Sequence, residues 1–122
     1  MQLIFDHIGL VTNKKKSNES WVEKTRVWVT NPKDHPWNVE WLRFEPDSEC
    51  PKELRENPHV AYRVDNLEAA AEGMALLLGP WIVGDFVKAA FYRNDDGSYV
   101  ELMEYLRDDG EWFPGQNTGG EE

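Results

Sequence analysis

Four strand-like runs of this 122-residue chain each carry one histidine or one glutamate, in the order His, Glu, His, Glu. Phe5-Asp6-His7-Ile8-Gly9-Leu10-Val11 and Asn57-Pro58-His59-Val60-Ala61-Tyr62-Arg63-Val64 carry His7 and His59. Asn38-Val39-Glu40-Trp41-Leu42-Arg43-Phe44 and Tyr99-Val100-Glu101-Leu102-Met103-Glu104-Tyr105 carry Glu40 and Glu101. One imidazole and one carboxylate per half reads as two copies of one module, with a site shared between them. His7 and His59 are 52 positions apart, whereas Glu40 and Glu101 are 61 apart. The difference is about the length of one helix. At the longer offset the Pro32–Pro36 turn falls on the Arg93–Gly97 turn, so turn meets turn.

Residues 2–12 alternate with a period of two, and both resulting faces are largely apolar, which predicts a strand covered on both sides. Asn13 to Ser20 is polar, and its Lys14-Lys15-Lys16 run reads as a solvated loop rather than an anion site. Trp21 to Thr30 has strand chemistry throughout. Asn31 to Pro36 is a turn, and His35 in it is a surface histidine outside the repeat. Asn38 to Glu45 is the next strand, and Pro46 to Pro58, with three prolines, is the linker between halves. After the strand at 57–64, Asp65 and Glu68 offer a capping box to a helix whose apolar stripe runs from Leu67 to Leu78. Gly79-Pro80 would end it. Strands over Trp81–Val87 and Ala89–Arg93 follow, then an Asn94-Asp95-Asp96-Gly97 hairpin turn and a last strand from Tyr99 to Leu106. Residues 108–122 are acidic and glycine-rich and read as a loosely held tail.

At this length the chain is one domain. A net charge of −10 repels phosphate backbones and excludes nucleic acid as a partner. No apolar run reaches the roughly 20 residues of a membrane span, and no secretory signal is visible at the N-terminus. The single cysteine, Cys50, excludes an internal disulfide and fits a cytoplasmic protein with an inert thiol.

The two histidine strands resemble the module-opening strands of the vicinal oxygen chelate superfamily, and Val39-Glu40 and Val100-Glu101 resemble the carboxylate-bearing last strands of its modules. The resemblance spans about residues 2–106 and is most specific in the second half. It implies an α+β fold of paired βαβββ modules whose curled mixed sheet surrounds a metal cleft. Module one would be residues 1–46 without most of its helix, the linker 46–58, and module two 57–106. The metal ligands would be His7, Glu40, His59 and Glu101. Two imidazoles and two carboxylates suit Zn, Ni, Co, Mn or Fe and do not suit Cu(I). On an octahedral ion they leave two positions for a small substrate that chelates through adjacent oxygens.

The chemistry so implied is proton transfer next to a carbonyl, in a glyoxalase-like lyase or an epimerase, with Glu40 or Glu101 as base. Two alternatives stand beside it. His7, His59 and Glu101 alone would make the facial triad of an Fe(II) extradiol-type dioxygenase. A metal-free ligand-binding protein of the bleomycin-resistance type would keep no ligand set. Arg63 and Tyr105 share strand faces with His59 and Glu101 and are candidate substrate contacts. A homodimer is also expected, because the face carrying Ile4, Ile8 and Leu10 has no helix of its own to cover it.

Overall fold

The computed structural model describes residues 3–107. Its described residues form a mixed sheet of eight strands with few helices, in the order β2-β3-β4-β1-β5-β8-β7-β6. The chain divides into two compact units, one of residues 7–58 and one of residues 3–6 with 59–107. The division falls inside the first strand, β1 (Ile4–Val11).

In the unit of residues 7–58, β1 runs parallel to β4 (Val39–Phe44), with Gly9 opposite Glu40 and Val11 opposite Leu42. The run Trp21 to Thr30 is two strands rather than the one expected, β2 (Ser20–Val22) and β3 (Val27–Val29), paired antiparallel. Arg26 turns the chain between them at φ 48. Arginine seldom takes that conformation, so the composition of the run conceals the turn. Asn31 caps a 3-10 turn at Pro32–Asp34 by accepting from the Lys33 N–H at 2.8 Å. The expected linker contains a helix, α1 (Lys52–Glu56), which seats Leu54 at 3% exposure. Five residues with one apolar anchor give no readable period.

One face of this unit packs Val27, Val29 and Leu42 with Val22 and Phe44. On the other, cations cover tryptophans: Lys16 Nζ lies 4.4 Å from the Trp41 ring, Arg26 5.1 Å from Trp21 and Arg43 5.6 Å from Trp28. Glu19, buried, fixes Arg43 through two hydrogen bonds of 2.7 and 2.8 Å. Burial pushes the Glu19 carboxyl up, but the bonds from Arg43 and from the Lys16 N–H outweigh it and hold it below its ordinary value. These cation–ring contacts cover the tryptophans on this face.

In the other unit β5 (His59–Arg63) runs parallel to β8 (Tyr99–Tyr105), and β8 pairs antiparallel with β7 (Val87–Arg93). The helix expected over Leu67–Leu78 is corrected. α2 is only Leu67–Ala70, capped by Asn66, whose side chain accepts from the Ala69 N–H at 2.9 Å. Gly73, at φ 85, turns the chain, and β6 (Ala75–Val83) takes up the rest of the apolar run as an antiparallel partner of β7. Leu76 to Leu78 suits either structure, and the pairing edge of β7 decides it. Gly79 therefore ends no helix. It sits within β6 at φ 97, where a Cβ would stand 2.6 Å from the Trp81 ring and 2.9 Å from the Ala89 carbonyl.

The short helix still covers the face assigned to it. Leu67 is fully buried among Val64, Ala90, Tyr92, Val100 and Leu102, with Val60, Tyr62, Ala70, Ala71 and Met74 around them. Glu104 anchors α2 by accepting from the Leu67 N–H at 2.9 Å. The Asn94–Gly97 hairpin forms as its residues require, with Gly97 at φ 90. The N-terminal end of β1 departs from the two-sided burial expected, since Leu3, Ile4 and Phe5 are about half exposed. The tail reading, residues 108–122, lies outside the described residues.

Candidate metal centre

Each unit buries one histidine against one glutamate, and the two pairs are built alike. In residues 7–58, His7 lies on β1 two positions before Gly9, the residue opposite Glu40. In residues 59–107, His59 lies on β5 two positions before Ala61, the residue opposite Glu101. Both strand pairs are parallel, and both place imidazole and carboxylate as diagonal neighbours within reach of long side chains. The residue opposite the glutamate is glycine in one pair and alanine in the other.

The distances match as well. His7 Nε2 lies 3.2 Å from Glu40 Oε1, and His59 Nε2 lies 3.3 Å from Glu101 Oε1. Histidines and glutamates are all buried, His7 completely. Phe91 holds the His59 ring edge-on at 5.0 Å between centroids, and Trp81 stacks on Phe91 at 6.0 Å.

These separations bear on what the pairs can hold. Two adjacent ligands on an octahedral ion bound at roughly 2.1 Å stand about 3.0 Å apart. A charge-assisted N–H···O bond is shorter, about 2.7–2.9 Å. The observed 3.2 and 3.3 Å are longer than that and suit either adjacent metal ligands or a neutral N–H···O contact. Two carboxylates and two imidazoles are also the kind of oxygen and nitrogen donors that divalent first-row metals take. His7, Glu40, His59 and Glu101 make up a buried donor group able to hold a metal ion.

Arg63 and Tyr105 are half-buried, and the Arg63 guanidinium lies 4.3 Å from the centre of the Tyr105 ring. Tyr105 Oη donates to Asp6 Oδ2 at 2.8 Å. Asp6, only 4% exposed, went unassigned in the sequence because a single aspartate on an apolar strand carries no pattern. His35 accepts from the Trp37 N–H through Nδ1 at 3.0 Å and belongs to its turn. Lys16 is committed to Trp41. Cys50 is buried, and burial pushes its thiol up to about 11, with Arg55 opposing, so it is protonated and inert at neutral pH. Among the described residues no helix is long and apolar enough to cross a membrane.

Comparison with known proteins finds no matching family model and no matching curated protein.

Proposed function

We propose that His7, Glu40, His59 and Glu101 hold one divalent metal ion and that the protein is an enzyme of the vicinal oxygen chelate type, transferring a proton next to a carbonyl of a small substrate. The observation that carries this reading is the repeated construction. The same residue types, two positions out of register across parallel strands, buried and 3.2 and 3.3 Å apart, occur once in each half. An isolated buried His–Glu contact is an ordinary structural feature. Two built to one plan point to a shared ligand.

When bound, the ion would polarise the substrate carbonyl and stabilise the negative charge that develops on it. The chain's own residues supply the rest. His7 and His59, as neutral donors, orient the site without adding charge. A glutamate of the set takes the proton from carbon and returns it. Glu101 serves as ligand, and Glu40, in the less regular half, is the more replaceable position and the better base. Burial of both carboxylates keeps bulk water from competing for that proton. Glu40 is as buried as Glu101 and as close to its histidine, which favours four ligands over the three of a facial-triad oxygenase. The chain would act as a homodimer.

Plasma mass spectrometry on purified protein and on the single variants His7→Ala and His59→Ala tests the site. The expected result is one equivalent of metal on the wild type and loss of it in both variants. Wild-type protein that refuses stoichiometric zinc, nickel, cobalt, manganese and iron would refute the reading and leave a metal-free binding protein in its place. Exchange of a substrate α-proton into deuterated water reads out the chemistry.

A further inference from the structure

β1 and β4 run parallel, so their C-terminal residues, Val11 and Phe44, lie at the same end of the strand pair in the unit of residues 7–58. An open cleft of about 560 Å³ lies at that end, lined also by Arg55 of α1. Its volume falls within the roughly 300–1,000 Å³ of small-molecule sites. Val11, Phe44 and Pro46 give it apolar walls, and Arg55 and Glu45 line it with one charge of each sign.

Both charged groups are held by neutral partners. Arg55 Nε donates to the Cys50 carbonyl at 2.7 Å, which spends one guanidinium N–H and leaves the Nη1–Nη2 edge as a fork suited to a carboxylate. Glu45 Oε2 accepts from Trp28 Nε1 at 2.8 Å, and Oε1 remains as an acceptor. Thr12, in the same lining, accepts from the Lys14 N–H through Oγ1 at 3.1 Å, so its hydroxyl proton is left to donate. Among the described residues no ion pair joins Arg55 to Glu45 or to any other carboxylate. With 23 acidic residues in the chain against 13 basic ones, a shortage of carboxylates does not explain this. A simple anion in the cleft would meet Glu45, and a simple cation would meet Arg55. A zwitterion answers both, and anchored charges need little rearrangement to receive it.

We propose that this cleft binds a free α-amino acid with an apolar side chain. Arg55 takes the carboxylate with Thr12 as a second donor, Glu45 takes the ammonium group, and Val11, Phe44 and Pro46 take the side chain. The assignment uses none of the four metal-site residues and does not depend on them.

Calorimetric titration of the full chain with four probes tests it. L-Leucine carries both charges and the side chain, 4-methylpentanoate lacks the ammonium group, 3-methylbutylamine lacks the carboxylate, and glycine lacks the side chain. Leucine should bind about ten- to a hundredfold tighter than the acid or the amine, the worth of one charged hydrogen-bonding partner. Glycine should bind at least about tenfold more weakly than leucine, for want of the buried methyl and methylene groups. Arg55→Gln should bring leucine to the affinity of the amine and leave the amine unchanged, and Arg55→Lys should restore part of the difference. Glu45→Gln, which keeps an oxygen for Trp28 Nε1, should bring leucine to the affinity of the acid. If Arg55→Gln does not fold, Glu45→Gln decides alone. Leucine that does not bind, that binds no tighter than the acid, the amine or glycine, or that keeps its affinity in either folded variant overturns the assignment. Metal content measured on the same samples should not differ between wild type and variants, so failure here leaves the metal reading standing.

Discussion

Replacing Glu101 by glutamine separates two accounts of the buried pairs, because the two predict opposite signs. Glutamine has the shape of glutamate, so packing around the 8%-exposed site is preserved and the change is almost purely one of charge. If Glu101 is there to pair with a protonated His59, the substitution strands a buried cation. Breaking a buried ion pair on one side costs about 3–5 kcal/mol. At about 4 °C per kcal/mol for a domain of this size, the melting temperature would fall by about 12–20 °C. If Glu101 is a metal ligand, the metal-free protein instead loses one of two buried negative charges that lack their cation. Removing a poorly compensated buried charge is neutral or stabilising by about 1 kcal/mol, so the metal-free melting temperature should hold or rise by up to about 4 °C.

The loaded protein tests the same point from the other side. A metal at a hundred times its dissociation constant stabilises the wild type by about 2.7 kcal/mol, or about 11 °C. A tenfold weakening in Glu101→Gln, at the same metal concentration, halves that shift. Differential scanning fluorimetry with and without cobalt at pH 7.5 measures both quantities. A drop of more than 10 °C in the metal-free variant, with an unchanged metal-induced shift, would refute the ligand assignment. Glu40→Gln should behave alike for stability. As the favoured base it should keep more of its metal and lose about 10² to 10⁴ in turnover.

Two further expectations follow from other parts of the molecule. Glu19 lies below its ordinary value of 4.5, so its contribution to stability is complete above that pH and is lost as pH falls through the lowered value. Arg43→Met should cost on the order of 3 kcal/mol at neutral pH by leaving Glu19 buried and unpaired, and acid titration of stability should then show a smaller loss below about pH 4.5 than in the wild type. The proposed dimer would use the β1 face of Ile4, Ile8 and Leu10, of which Ile4 is 49% exposed, and sedimentation at micromolar concentration should give twice the chain mass, whereas a monomer would end that proposal.

The strands that carry the four donors were legible because their cause is local. Period-two alternation, β-branched and aromatic residues, and the Asn94–Gly97 turn act over a few residues, and β1, β4, β5, β7 and β8 appear close to where that pattern puts them. The donors were legible as a set because each half spends one histidine and one glutamate on such a strand. Where local preferences balance, neighbours elsewhere in the chain decide. Leu76 to Leu78 satisfied a helical stripe and a strand equally, and only the edge offered by β7 made them β6. α1 is too short to show a period and exists because Leu54 has a buried seat. The two-position stagger that brings His7 to Glu40 and His59 to Glu101, over Gly9 and Ala61, is a property of strand register. So is the chain from Arg63 through Tyr105 to Asp6, whose last two members are 99 residues apart. Register between distant strands is set by the packing of whole faces, and no window of the sequence contains it.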